Sequence, residues 1–99
     1  MKLRIDARAL EDLRDIHGYI AVHGSATAAE QVRRYLRTRL QRMLTTPRIG
    51  MMTDNPDIRI VPPVRYPYRI YYTIRGDNLV ILHIRHTARL APDDVQTGI

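Results

Sequence analysis

Polar and apolar positions alternate from Lys2 to Ile5 (Lys2, Leu3, Arg4, Ile5), the period of a short strand. Asp6 follows, with a side chain suited to capping a helix. Leu10, Leu13, Ile16 or His17, and Ile20 then recur at helical spacing, with Glu11, Asp12, Arg14 and Asp15 between them. This first helix is expected to end near His23-Gly24, where glycine suits a left-handed C-terminal residue. Thr27-Ala28-Ala29-Glu30 has the form of a capping box and predicts a second helix with the apolar stripe Ala29, Val32, Leu36, Leu40, Met43 and Leu44. Arg33, Arg34, Arg37 and Arg42 fall on or beside its wet face, and Pro47 stops it. The short Gly-Ser turn between the helices predicts an antiparallel hairpin.

Beyond it, residues 48–56 carry the turn signals Gly50, Asn55 and Pro56, and Ile58 to Val61 is a short apolar run broken by Pro62-Pro63. Tyr68 to Arg75 is the clearest strand, with Ile70, Tyr72 and Ile74 on one face and Arg69, Tyr71, Thr73 and Arg75 on the other. Gly76-Asp77-Asn78 reads as a hairpin turn into a strand from Leu79 to Arg85. Strict alternation there sets Val80, Leu82 and Ile84 on one face and Leu79, Ile81, His83 and Arg85 on the other. The fold class is therefore α+β. An N-terminal strand leads into a helical hairpin packed on one face of a small, mainly antiparallel sheet that ends in a three-strand meander. No predicted element remains to cover the other face, which would carry Arg69, Tyr71, Thr73, Arg75, His83 and Arg85 beside Leu79 and Ile81.

The 99 residues are one domain's worth, read as a single domain over 1–99. A composition 44% hydrophobic and 26% charged argues against disorder. No apolar run is long enough for a membrane span. Asp6, Glu11 and Asp12 stand where a signal peptide needs apolar residues, so no export signal is read and a cytoplasmic location is expected. The absence of cysteine removes disulfides, zinc–thiolate sites and a cysteine nucleophile. The net charge of +6 comes with a pI near 10.3, and 15 of the 16 basic residues are arginines, which fork onto carboxylates and phosphates. Such a surplus suggests an acidic partner, nucleic acid or protein. The alternative is a soluble surface encoded by a high-GC genome.

On the uncovered face, guanidinium, phenol and imidazole groups could bind phosphates and stack bases. Arginines could equally lie over a half-exposed sheet. The favoured reading is that an external segment covers the face, because Leu79 and Ile81 are costly to leave wet. Metal-independent RNA cleavage would need a base, an acid and cations on the phosphate. His83 and His86 could exchange protons, while a carboxylate base would have to come from Asp54 or Asp57. There is no Gly-rich phosphate loop, no nucleophile elbow and no carboxylate pair at metal spacing. His17 and His23 lie on different helix faces, so neither metal nor cofactor is expected.

Ala9-Leu10-Glu11-Asp12-Leu13-Arg14-Asp15-Ile16 with Tyr19-Ile20-Ala21, then Leu44, Pro47 and Gly50, then Tyr66-Pro67-Tyr68-Arg69-Ile70-Tyr71-Tyr72, and finally Val80 through Arg89 with His83 and Arg85-His86 inside it, follow one another in the order and spacing of the RelE/ParE toxins. The sequence resembles that superfamily over nearly its whole length, and its ParE branch (plasmid stabilisation toxins) most. The resemblance implies the toxin of a type II toxin–antitoxin system that binds and inhibits DNA gyrase without covalent chemistry of its own. It also implies silencing by a cognate, ParD-like antitoxin that wraps exposed surface, with nucleic acid reached only through the target or the antitoxin complex. Target contact is expected at Arg69, Arg85, His86 and Arg89, and antitoxin contact at Tyr71, Leu79, Ile81 and the surface of the first helix. Resemblance to the RelE branch implies instead a ribosome-dependent mRNA endoribonuclease using Arg69 and His86, although no tyrosine follows Tyr72 and the chain has one lysine. A degenerate member that only binds its antitoxin is the third possibility.

Overall fold

The computed structural model describes residues 1–87. It contains β1 (Lys2–Ile5), α1 (Ala7–His23), α2 (Ala26–Met43), β2 (Met51–Met52), β3 (Arg59–Val61), β4 (Tyr68–Arg75) and β5 (Asn78–His86). Asp6 caps α1 as its sequence position suggests, accepting a hydrogen bond from Ala7 N at 3.1 Å. Gly24 ends that helix with φ −121°, not in the left-handed region, and donates its N–H to Ile20 O. The N-cap of α2 is Ser25, not Thr27: its extended backbone lets Oγ accept from Ala28 N at 3.0 Å, so the helix begins before the expected capping box. Glu30 turns instead to Arg33, which donates from Nε at 2.9 Å. That hydrogen bond holds the Glu30 carboxyl down at about 2.

The strands form one sheet in the order β1-β5-β4-β3-β2, antiparallel except for the parallel pair β1/β5. The two-residue β2 lies in the stretch read as turn; both its methionines are exposed, so no buried alternation marked it. Gly76, with φ +57°, closes the β4–β5 hairpin in the left-handed region that glycine occupies without strain. α1 packs on α2 and on β5. The helical stripe Val32, Leu36, Leu40 and Met43 meets Ile70, Tyr72, Leu79, Ile81 and Ile84 in one core.

One irregularity sets which strand residues enter that core. Tyr71 pairs with His83 but Tyr72 pairs with Ile81, so Leu82 is an extra residue, a β-bulge. An extra residue inverts the side-chain alternation beyond it. Leu79 and Ile81 on one side of the bulge, and Ile84 on the other, therefore all point to the helices. Leu79 and Ile81 are 0% exposed, which corrects their expected place on the open face as antitoxin contacts. Val80 moves the other way and is the cross-strand partner of Thr73.

The core is tied to the segment after α2 through Tyr72. Its hydroxyl accepts from Gly50 N and donates to Pro47 O, both at 2.8 Å. A Cβ at Gly50 would sit 2.6 Å from Tyr72 Cε1, so only glycine allows this approach.

Because Ile81 is fully enclosed, Ile81→Asp is expected to abolish cooperative folding: an unpaired buried carboxylate costs several kcal/mol, against a total stability of roughly 5–15 kcal/mol. Thermal unfolding followed by circular dichroism checks this; a transition within a few degrees of wild type would place Ile81 on the surface.

Candidate functional site

The face of the sheet turned away from the helices is read from the register. Arg69 pairs with Arg85, Tyr71 with His83, Thr73 with Val80, and Arg75 with Asn78. β1 continues these rows, with Lys2 beside Asn78 and Arg4 beside Val80. Cross-strand partners share a face. Lys2, Arg4, Arg69, Arg75 and Arg85 thus lie on one side of the sheet. Among the described residues, no carboxylate pairs with Lys2, Arg4, Arg69 or Arg75. Beneath the cations the surface is closed: Tyr71 is 6% exposed, Thr73 5% and Val80 8%. Across β1, β5 and β4 the face offers positive charge with little apolar area; its exposed apolar residue, Met51, lies on β2 beyond Ile60 of β3.

His83 lies on this same face, its ring 6.4 Å from that of Tyr71 and edge-on to it. Its Nδ1 is buried 3.6 Å from Asp12 Oδ2, beyond hydrogen-bond length. Asp12 Oδ2 accepts from Ile84 N at 3.0 Å, and Oδ1 faces Arg8 Nε at 3.6 Å. That carboxylate pins α1 to the stretch of β5 that β1 is too short to cover.

His86 does not join the arginines. It pairs with Tyr68, a core residue, and their rings meet edge-on at 5.3 Å on the helix side of the sheet. The expected cluster therefore divides: Arg69 and Arg85 converge on the open face, and His86 projects from the opposite one, because adjacent residues of a strand alternate. The expected nuclease pair Arg69 and His86 is separated in the same way. Arg89 lies outside the described residues.

A second surface lies between the helices. Leu10, Leu13 and Leu40 line a groove of about 560 Å³ that passes Gly18 and is rimmed by Arg14, His17, Arg33 and Arg37. Leu10 is 40% exposed at its mouth. Arg33 is engaged by Glu30, whereas Arg14 and Arg37 have no carboxylate partner among the described residues. A Cβ at Gly18 would meet nothing within 4 Å, so the groove is open there.

Several of these residues carried no signal in the sequence. Lys2 and Arg4 reach the open face through the parallel pairing of β1 with β5, which no local pattern announces. Asp12 looked like one polar residue of an amphipathic helix. The groove was anticipated only as the surface of the first helix. Among the described residues, none groups three or more His, Cys, Asp or Glu side chains fit to hold a metal, and no helix is long and apolar enough to cross a membrane.

The architecture is shared with solved toxins. The chromosomal ParDE toxin–antitoxin system of P. aeruginosa contains a chain that superimposes with a TM-score of 0.79 at 19% identity, covering 87% of this chain and 95% of that one. The intact E. coli RelBE toxin–antitoxin complex matches with a TM-score of 0.65 at 24% identity, over 89% of this chain and 98% of that one. The isolated E. coli RelE toxin matches at 0.66 and 22% identity, over 99% and 98%. At such identities these likenesses show the fold. No curated protein matches the chain in sequence. The model of the ParE toxin of type II toxin–antitoxin systems (parDE) matches residues 3–91, and the chain belongs to that family.

Proposed function

We propose that this toxin binds and inhibits DNA gyrase in the cytoplasm and is neutralised by a cognate ParD-like antitoxin. The family match over residues 3–91 carries the reading. The open face supports it by offering cations for binding, with Arg69 and Arg85 side by side, while the two candidate proton-transfer groups, His83 and His86, lie on opposite faces. Arg69 and Arg85 are the proposed centre of target contact.

The antitoxin contact moves from Tyr71, Leu79 and Ile81, all three buried, to the groove between α1 and α2. Exposed leucine between unpaired arginines suits an amphipathic helix with acidic flanks, its apolar side chains on Leu10, Leu13 and Leu40 and its carboxylates on Arg14 and Arg37. Leu10→Asp keeps the fold, since Leu10 is 40% exposed, and is expected to weaken antitoxin binding at least tenfold, roughly the 1.4 kcal/mol of one lost apolar anchor. Calorimetric titration checks it; unchanged affinity would place the antitoxin elsewhere.

The second reading, a ribosome-dependent endoribonuclease, would pair Arg69 with His83 in place of His86, because His83 shares its face. Supercoiling of relaxed plasmid by purified gyrase separates the two. The folded, antitoxin-free chain is expected to inhibit, with linear DNA accumulating. Arg69→Ala should stay folded and raise the half-inhibitory concentration about tenfold, the worth of one charge-assisted contact. Intact gyrase activity together with cleavage of ribosome-bound mRNA would establish the second reading. No effect in either assay would indicate a chain that only binds its antitoxin.

A further inference from the structure

We infer that the open face of the sheet binds the phosphate backbone of duplex DNA directly, which on the gyrase reading is the DNA segment held by the enzyme. The arrangement of charge carries the inference. Lys2, Arg4, Arg69, Arg75 and Arg85 occupy three adjacent strands on one face. Four of them, Lys2, Arg4, Arg69 and Arg75, pair with no carboxylate among the described residues. Arg75 lies six residue steps beyond Arg69, about 20 Å of strand, the axial length over which one DNA strand presents about six phosphates. Two carboxylates lie near the Arg75 end of that row, away from Arg69 and Arg85: Asp57 borders a cleft beside Arg75, and Asp77, in the turn after it, faces the N-terminal amine at 3.4 Å.

What the face lacks chooses the occupant. An acidic peptide would need apolar anchors among the cations, and on β4 and β5 these are buried: Tyr71, Thr73 and Val80 are each under 9% exposed, while the exposed Met51 of this face sits on β2 at the other edge of the sheet. The exposed leucine lies in the helical groove. Single-stranded nucleic acid is held by stacking bases on exposed aromatic rings, and the tyrosine here, Tyr71, is covered. Arginines without stacking surface or apolar anchors suit a duplex, whose bases are shielded and whose phosphates are presented in rows.

A chain with a net charge of +6 adheres to any polyanion at low salt, so the test is specific to the face. Fluorescence anisotropy of a 20-base-pair DNA duplex is measured with the purified toxin across a salt series. The variant Arg4→Ala/Arg69→Ala/Arg75→Ala is compared with the control Arg33→Ala/Arg34→Ala/Arg42→Ala, which removes the same charge from the exposed face of α2. The logarithm of the wild-type binding constant is expected to fall against that of salt with a slope of about −4, as for four or five neutralised phosphates. The sheet variant should lower affinity at least tenfold and flatten the slope by about 3, at roughly one unit per lost contact, while the control shifts neither by half as much. Equal losses in both variants would overturn the inference, and so would tighter binding to an RNA duplex or to single strands than to the DNA duplex. Circular dichroism establishes that each variant folds; should the triple variant not, Arg4→Glu and Arg75→Glu, both at exposed positions, are measured singly against Arg34→Glu. Because naked DNA is the probe, binding through the sheet without gyrase inhibition would retire the gyrase reading alone, and gyrase inhibition without sheet-dependent DNA binding would retire this inference alone.

Discussion

The bulge at Leu82 decides what every residue of the last strand can do. Four apolar residues in succession, Leu79 to Leu82, and a fifth, Ile84, after His83 cannot all be buried by a regular strand between a helical layer and water. The extra residue resolves the conflict. It lets Leu79 and Ile81 before it, and Ile84 after it, share the helix-facing core with Tyr72 and Ile70. It also leaves His83 and Arg85 on the open face beside Tyr71 and Arg69. Without it, burying Ile84 would turn Leu79 and Ile81 to water, and burying Leu79 and Ile81 would drive Arg85 under the helices.

The consequence is a division of labour between two surfaces. Across β1, β5 and β4 the open face has its apolar layer closed and its charge exposed, while the groove between α1 and α2 keeps leucine exposed within a basic rim. A polyanion without apolar content suits the first, and an amphipathic acidic helix suits the second. Asp12 links them: from α1 it receives the backbone N–H of Ile84 and stands 3.6 Å from His83 Nδ1, so the helix that lines the groove is fastened to the strand that carries the cationic face.

Much of this was legible in the sequence where periodicity was clean. The strands at Lys2–Ile5 and Tyr68–Arg75, the Asp6 cap and the stripe Ala29, Val32, Leu36, Leu40 and Met43 are found as the pattern indicates. Thr27 and Ser25 are both good caps, and only backbone geometry chose Ser25. The bulge was hidden for a physical reason. In Leu79-Val80-Ile81-Leu82 every residue is apolar, so no alternation exists whose phase could be seen to slip. That one slip carried Leu79 and Ile81 from a supposed interface into the core. The place of His86 followed from alternation at the strand's end, but its supposed companions Arg69 and Arg85 lay on the other face.

The chain has no cysteine, so single cysteines can report the faces one at a time. Leu79→Cys, Ile81→Cys, His83→Cys and Arg85→Cys are made separately, and the rate of native-state thiol labelling is measured for each against its rate in denaturant. A strand bulged at Leu82 predicts strong protection at the first two positions and distinctly faster labelling at the last two, which are half-buried on the open face. Regular alternation places all four on one face, and equal labelling across the series would contradict the account at its base.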